Sequence, residues 1–189
     1  MRKLLVVSAV ALGVAIPGAS AAAAAGPQLV VIASLITRPA RTLAPGTNVS
    51  GSKVVGQRVF VNATHGFALV DSGQAQYPAA TADGGKTWKT DGPALHLDAA
   101  QAPLAVVDVG AAGRNTVFAW GTGQVIDTTS DGGKHWYRAL FTQGIPVAVV
   151  NNPLGHLVAF VDGSPGVTWQ YVSKDGGKTW HLDKTLGGS

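Results

Sequence analysis

Apolar residues along this chain come in short runs broken by Gly, Asn, Pro or Asp. Three times the order repeats: two runs, a third leading into a polar turn, and a fourth leaving it. The paired runs are Arg58–Val61 and Phe67–Val70, Leu104–Val107 and Val117–Trp120, and Val147–Val150 and Leu157–Val161. The third runs are Tyr77–Thr81, Gln124–Thr129 and Thr168–Ser173, and each fourth begins at a tryptophan. Short Val-, Ala- and Thr-rich runs between turn residues predict strands joined as hairpins. Helical periodicity is not sustained in this region, and the predicted class is all-β.

The N-terminus reads differently. Arg2 and Lys3 precede an apolar stretch from Leu4 to Ile16, then Pro17, Gly18 and small residues through Ala25. This is the order of a secretory signal peptide, with cleavage points at Ala19-Ser20-Ala21 and the alanines up to Ala25. The thirteen-residue stretch is shorter than the roughly 20 residues of a spanning helix. Residues 1–25 are therefore expected to direct export. Residues 26–56 hold one good strand, Leu29–Ile36, and a second around Asn48–Val55.

The polar turns are copies of one motif. Thr81-Ala-Asp83-Gly-Gly85-Lys-Thr87-Trp88, Thr129-Ser-Asp131-Gly-Gly133-Lys-His135-Trp136 and Ser173-Lys-Asp175-Gly-Gly177-Lys-Thr179-Trp180 align without gaps. Their aspartates lie 48 and then 44 residues apart, the period of one four-stranded propeller blade. Asp-Gly between strands is a hairpin signal, because glycine accepts positive φ. The Asp and Ser/Thr side chains can bind nearby amides and hold the turn, and the tryptophan supplies an apolar anchor.

The motif resembles the Asp-box, or BNR repeat, of sialidases, several other glycoside hydrolases, sortilin-type receptors and photosystem II assembly factors. The resemblance runs from about Arg58 to Leu186. It implies three propeller-like blades over residues 57–95, 103–143 and 145–187. In that family the box is a structural turn remote from the active site, so it transfers fold and not activity. Three blades do not close a ring, since propellers have four to eight. The N-terminal strands supply either part of a fourth blade or a closing edge strand. Otherwise the open edges invite pairing between chains, one arrangement being two subunits in a six-bladed ring.

Composition narrows the partners. Without Arg2 and Lys3, twelve basic residues face ten acidic ones, giving no basic stripe for nucleic acid. There is no cysteine, hence no disulfide or thiolate metal site. About 164 residues remain after the signal peptide, enough for one domain with a sizeable core.

Candidate chemistry is sparse. All ten acids are aspartates, so the glutamate that partners the sialidase tyrosine is missing, as is the family's Phe/Tyr-Arg-Ile-Pro signature. Asp83, Asp131 and Asp175 belong to the turns. Asp108 and Asp127 stand out for lying in strand-like runs, lining a channel or facing water. Gly85-Lys86-Thr87 and Gly177-Lys178-Thr179 lack the upstream glycine of a P-loop, where Ala80 and Val172 stand. The histidines show no metal-ligand spacing, and no cofactor is implied. Trp120 and Trp169 fall outside the boxes as inter-blade packing or, if exposed, as platforms for a sugar or protein.

The reading is an exported, non-catalytic binding or scaffold protein of the cell envelope or extracellular space, presenting blade loops to a protein or glycan. The alternative is a sialidase-like glycoside hydrolase.

Overall fold

The computed structural model describes residues 31–37, 43–72, 75–99, 107–163 and 166–187. The expected signal peptide and most of the run Leu104–Val107 lie outside them. Two strands come first, β1 (Val31–Leu35) and β2 (Asn48–Val49), followed by a 3-10 turn at Gly51–Lys53. The first blade is β3 (Val54–Phe60), β4 (Gly66–Asp71), β5 (Gln76–Thr81) and β6 (Trp88–Thr90). The second is β7 (Asp108–Ala111), β8 (Val117–Trp120), β9 (Val125–Thr129) and β10 (Tyr137–Phe141). The third is β11 (Ile145–Asn151), β12 (Leu157–Asp162), β13 (Thr168–Ser173) and β14 (His181–Leu186). All pairings are antiparallel between strands consecutive in each blade. The molecule is an all-β, incomplete propeller.

The blades pack face to face, and period-2 alternation sorts the side chains between seams. On β8, Val117 and Ala119 join Phe67 and Leu69 of the first blade in one core. Phe118 and Trp120 join Leu157, Ala159 and Val161 of the third in another. A strand covered on both sides needs apolar residues at every position, which explains the unbroken runs.

Two expectations change. The strand paired with β8 is Asp108–Ala111, later in the chain than Leu104–Val107. Val107 is instead a seam residue, packed in the core between the first two blades. Its carbonyl leaves no room for a side chain at Gly56, whose φ is +68°. Gly56 sits where the β3–β4 register shifts, between Val55 and Val59. The second N-terminal strand is shorter than expected: only Asn48–Val49 pairs, and Val54 already belongs to β3.

The N-terminal strands close edges and do not begin a fourth blade. β2 adds to β6 of the first blade, and β1 adds to β10 of the second. The outer face of the first blade is also occupied. Leu43 and Val49 of the N-terminal segment pack, beside Val54 of β3, against its Ala68, Val70, Tyr77, Ala79 and Trp88. In a six-bladed ring of two chains, this face would receive the partner's third blade, so the packing does not favour that ring. In the third blade β13 is the neighbour of β14, whose six residues are all exposed.

Candidate binding face

The three turns share one hydrogen-bond plan. Both glycines after each aspartate have positive φ, at +73° and +87°, +71° and +81°, and +75° and +93°. Thr81 Oγ1 donates to Asp83 Oδ1 (2.8 Å) and accepts from the Gly85 N–H (2.9 Å). Thr129 and Ser173 do the same for Asp131 with Gly133 and for Asp175 with Gly177. Each carboxylate then reaches four residues on. Asp83 takes the Thr87 N–H (2.9 Å) and hydroxyl (2.6 Å), and Asp175 takes the same groups of Thr179. Asp131 takes the His135 N–H (3.0 Å) and meets its Nδ1 at 2.6 Å.

These donors bind the charged form and lower the carboxyl pKa. At Asp83 the Thr87 hydroxyl is the largest cause of a strong downward shift. Burial opposes ionisation at Asp131 and Asp175, but the donors outweigh it, and Asp131 falls to about 2. All three carboxylates are thus consumed by their turns.

The tryptophans divide. Trp88 and Trp180 donate to the carbonyl of their own turn, Gly85 and Gly177 (both 3.1 Å). Trp136 donates across the seam to the Asp91 carbonyl of the first blade (3.2 Å). Trp120 is buried and stacks on Phe118, with ring centroids 6.1 Å apart. Trp169 is half-buried against the same inter-blade core. The two are therefore brought to one seam.

Asp127 neither lines a channel nor faces water. It shares a face with Ala119 in the seam between the first and second blades, fully buried. There Arg138 grips it with two bonds, Nε to Oδ1 (2.8 Å) and Nη2 to Oδ2 (2.6 Å). Burial pushes the Asp127 carboxyl up, against the pull of Arg138 and the weaker field of His96. Burial wins because the seam excludes water from a carboxylate with one cation. Asp108 is half-buried and faces Trp120 across the β7–β8 pair.

The blade ends opposite the turns carry the β4–β5 and β8–β9 hairpins and the inter-blade connectors. A cleft of about 450 Å³ opens there between the first connector, the β8–β9 turn and the start of the third blade. Its polar wall is preset: Asp98 accepts from Gln76 Nε2 (3.1 Å) and Thr122 Oγ1 (3.3 Å). Thr122 Oγ1 also accepts the Ala99 N–H (3.1 Å), and the Gly123 N–H donates to the Leu97 carbonyl (2.8 Å). His96 and Gln124 complete that wall. Leu140 and Ile145 form the apolar side and are exposed. Side chains at positions 121 and 123 would strike the Leu97 carbonyl, so the two glycines let connector and turn meet. In the sequence Asp98 looks like a solvated loop carboxylate and Thr122 is not singled out; the signal present is the small Gly121-Thr122-Gly123 turn beside Trp120. Among the described residues, no group of three or more His or Asp side chains is placed to hold a metal ion.

No protein-family model matches the chain, and no curated protein matches it. Among solved structures, one described as YCF48 bound to D1 peptide is similar at 22% identity and a TM-score of 0.49. The match covers 77% of this chain and 44% of that one, so the chain spans less than half of that structure's length.

Proposed function

We propose that the chain is an exported, non-catalytic binding protein of the Asp-box repeat type, and that the connector-end cleft receives an extended segment of a protein partner. The carrying observation is the cleft's construction. Its polar groups are held by hydrogen bonds within the chain, while Leu140 and Ile145 stay exposed beside them. Fixed polar groups flanking apolar surface suit a peptide, since little ordering is needed on binding. The aspartates favour binding over hydrolysis: the turns use three, Asp98 is tied to Gln76 and Thr122, and Asp127 is sealed with Arg138. Glycoside hydrolysis needs two carboxylates facing one bond.

Peptide display on the chain, run beside a glycan array, tests this. Selected peptides are expected to lose at least tenfold in affinity with Ile145→Glu and with Thr122→Ala. Glycan ligands without peptide ligands, or peptides indifferent to both changes, would overturn it. Export is tested by expressing the full chain with a C-terminal tag. The expected product is extracytoplasmic and begins between residues 22 and 26, whereas a full-length cytoplasmic product refutes export.

A further inference from the structure

A second cleft, also about 450 Å³, lies at the turn end of the first blade. Pro45, His65, Ala80, Thr87, Lys89 and Asp91 are among its walls. It is remote from the connector-end cleft, because hairpins β3–β4 and β5–β6 leave the opposite ends of the strands.

Asp91 is its unusual member. The backbone is locked on both sides: the N–H donates to the Pro78 carbonyl (2.7 Å), and the C=O accepts from Trp136 Nε1 (3.2 Å). The second turn presses on the side chain, since a Cβ at Gly133 would come within 2.8 Å of Asp91 Oδ1. The carboxylate is thereby held half-buried, and no hydrogen-bond donor of the described residues reaches it. Asp83, in the same cleft, is saturated by Thr81 and Thr87. The other titratable groups facing the cleft are His65 and Lys89, and Lys89 is exposed. Lys134 and His135 line the adjoining hollow across the seam. Burial alone raises Asp91 to about 6, as expected of a carboxylate without donors.

A desolvated carboxylate on the wall of a cleft is satisfied best by a ligand that brings both positive charge and N–H donors. We propose that this cleft binds a guanidinium or ammonium group, with Asp91 as its acceptor. Such a group comes from a basic side chain of a partner protein or from a small cation. The site does not depend on the peptide reading of the other cleft.

The test is an NMR titration of the 15N-labelled chain with three probes: N-acetylarginine amide, methylguanidinium and neutral N-acetylcitrulline amide. Both cations are expected to shift the Asp91, Gly92 and Gly133 amides saturably, and citrulline is not. Tighter binding of the arginine amide assigns the site to a peptide side chain, and tighter binding of methylguanidinium assigns it to a small cation. Asp91→Asn should abolish saturation while the remaining spectrum is kept, and Lys89→Ala should tighten binding. Going from pH 7.5 to 5 should weaken binding about tenfold as Asp91 takes up its proton. Equal binding of citrulline, or an Asp91→Asn chain that binds like the parent, overturns the proposal.

Discussion

At the residue scale, aspartates with opposite environments make opposite contributions to stability. Asp175 accepts two hydroxyls and two amides at a partly exposed turn. Asp175→Ala should destabilise by about 1–2 kcal/mol, the range for a few charge-assisted bonds near water, measured by urea unfolding at pH 7. Because the folded pKa values of Asp131 and Asp175 are depressed, their contribution is complete above roughly pH 4, the unfolded value. It fades as pH falls through the folded values, so the cost of Asp175→Ala should shrink in acid. Asp91 behaves in reverse. Its folded pKa is raised to about 6, so stability falls as pH rises from roughly 4 through 6. Asp91→Asn should therefore stabilise by about 1–2 kcal/mol at pH 7.5, after allowance for solvent screening, with no gain below roughly pH 4. A gain that persisted in acid would assign the effect to something other than the charge. The turn aspartates are legible in sequence because their partners lie within four residues. Asp91 is not, because Gly133 and Trp136 of another blade create its environment.

At the element scale, local pattern carries furthest where strand and partner are neighbours in the chain. The hairpins β4–β5, β8–β9 and β12–β13 follow the apolar runs closely, since both strands lie within one short stretch. Edge pairing is invisible to that logic. Nothing in the composition of Val31–Leu35 says that it lies beside Tyr137–Phe141, about a hundred residues away. The structure manages its edges by two devices. Chain segments cover β6 and β10, whereas β14 is blunted by its own irregularity. The β13–β14 register shifts between Gln170 and Tyr171, so Asp183 is an extra residue, followed by Lys184. A bulge with charges on an exposed strand discourages pairing with another chain. Deleting Asp183 together with Lys184→Val should flatten the edge. Sedimentation velocity of that variant should show concentration-dependent association that the parent lacks. Identical profiles would mean that the bulge is not what guards it.

At the scale of the whole molecule, an open arc of blades depends on its seams, because no ring closure is formed among the described residues. The seam between the first and second blades holds polar groups as well as apolar ones: Gln57 donates to the Val109 carbonyl (3.0 Å), and two further arrangements involve side chains of the second repeat. Trp136 reaches the Asp91 carbonyl, where its counterparts in the other repeats bind their own turns. The Asp127–Arg138 pair lies in the same seam, its carboxylate wholly buried and its guanidinium partly open to water. A buried pair of this kind need not add stability over apolar residues, but breaking it leaves a charge without compensation. Arg138→Leu should therefore destabilise by about 3–5 kcal/mol, while Asp127→Leu with Arg138→Leu should recover most of that loss. The comparison also bears on how the arc unfolds. If the seam couples the blades, urea transitions of single-tryptophan variants retaining Trp88, Trp136 or Trp180 should share one midpoint in the native background. In Arg138→Leu the Trp88 and Trp136 midpoints should fall together, since the uncompensated Asp127 carboxylate lies in the seam that both blades share. A shift confined to Trp136 would show instead that the pair stiffens only its own blade, and that the apolar seam core alone holds the arc.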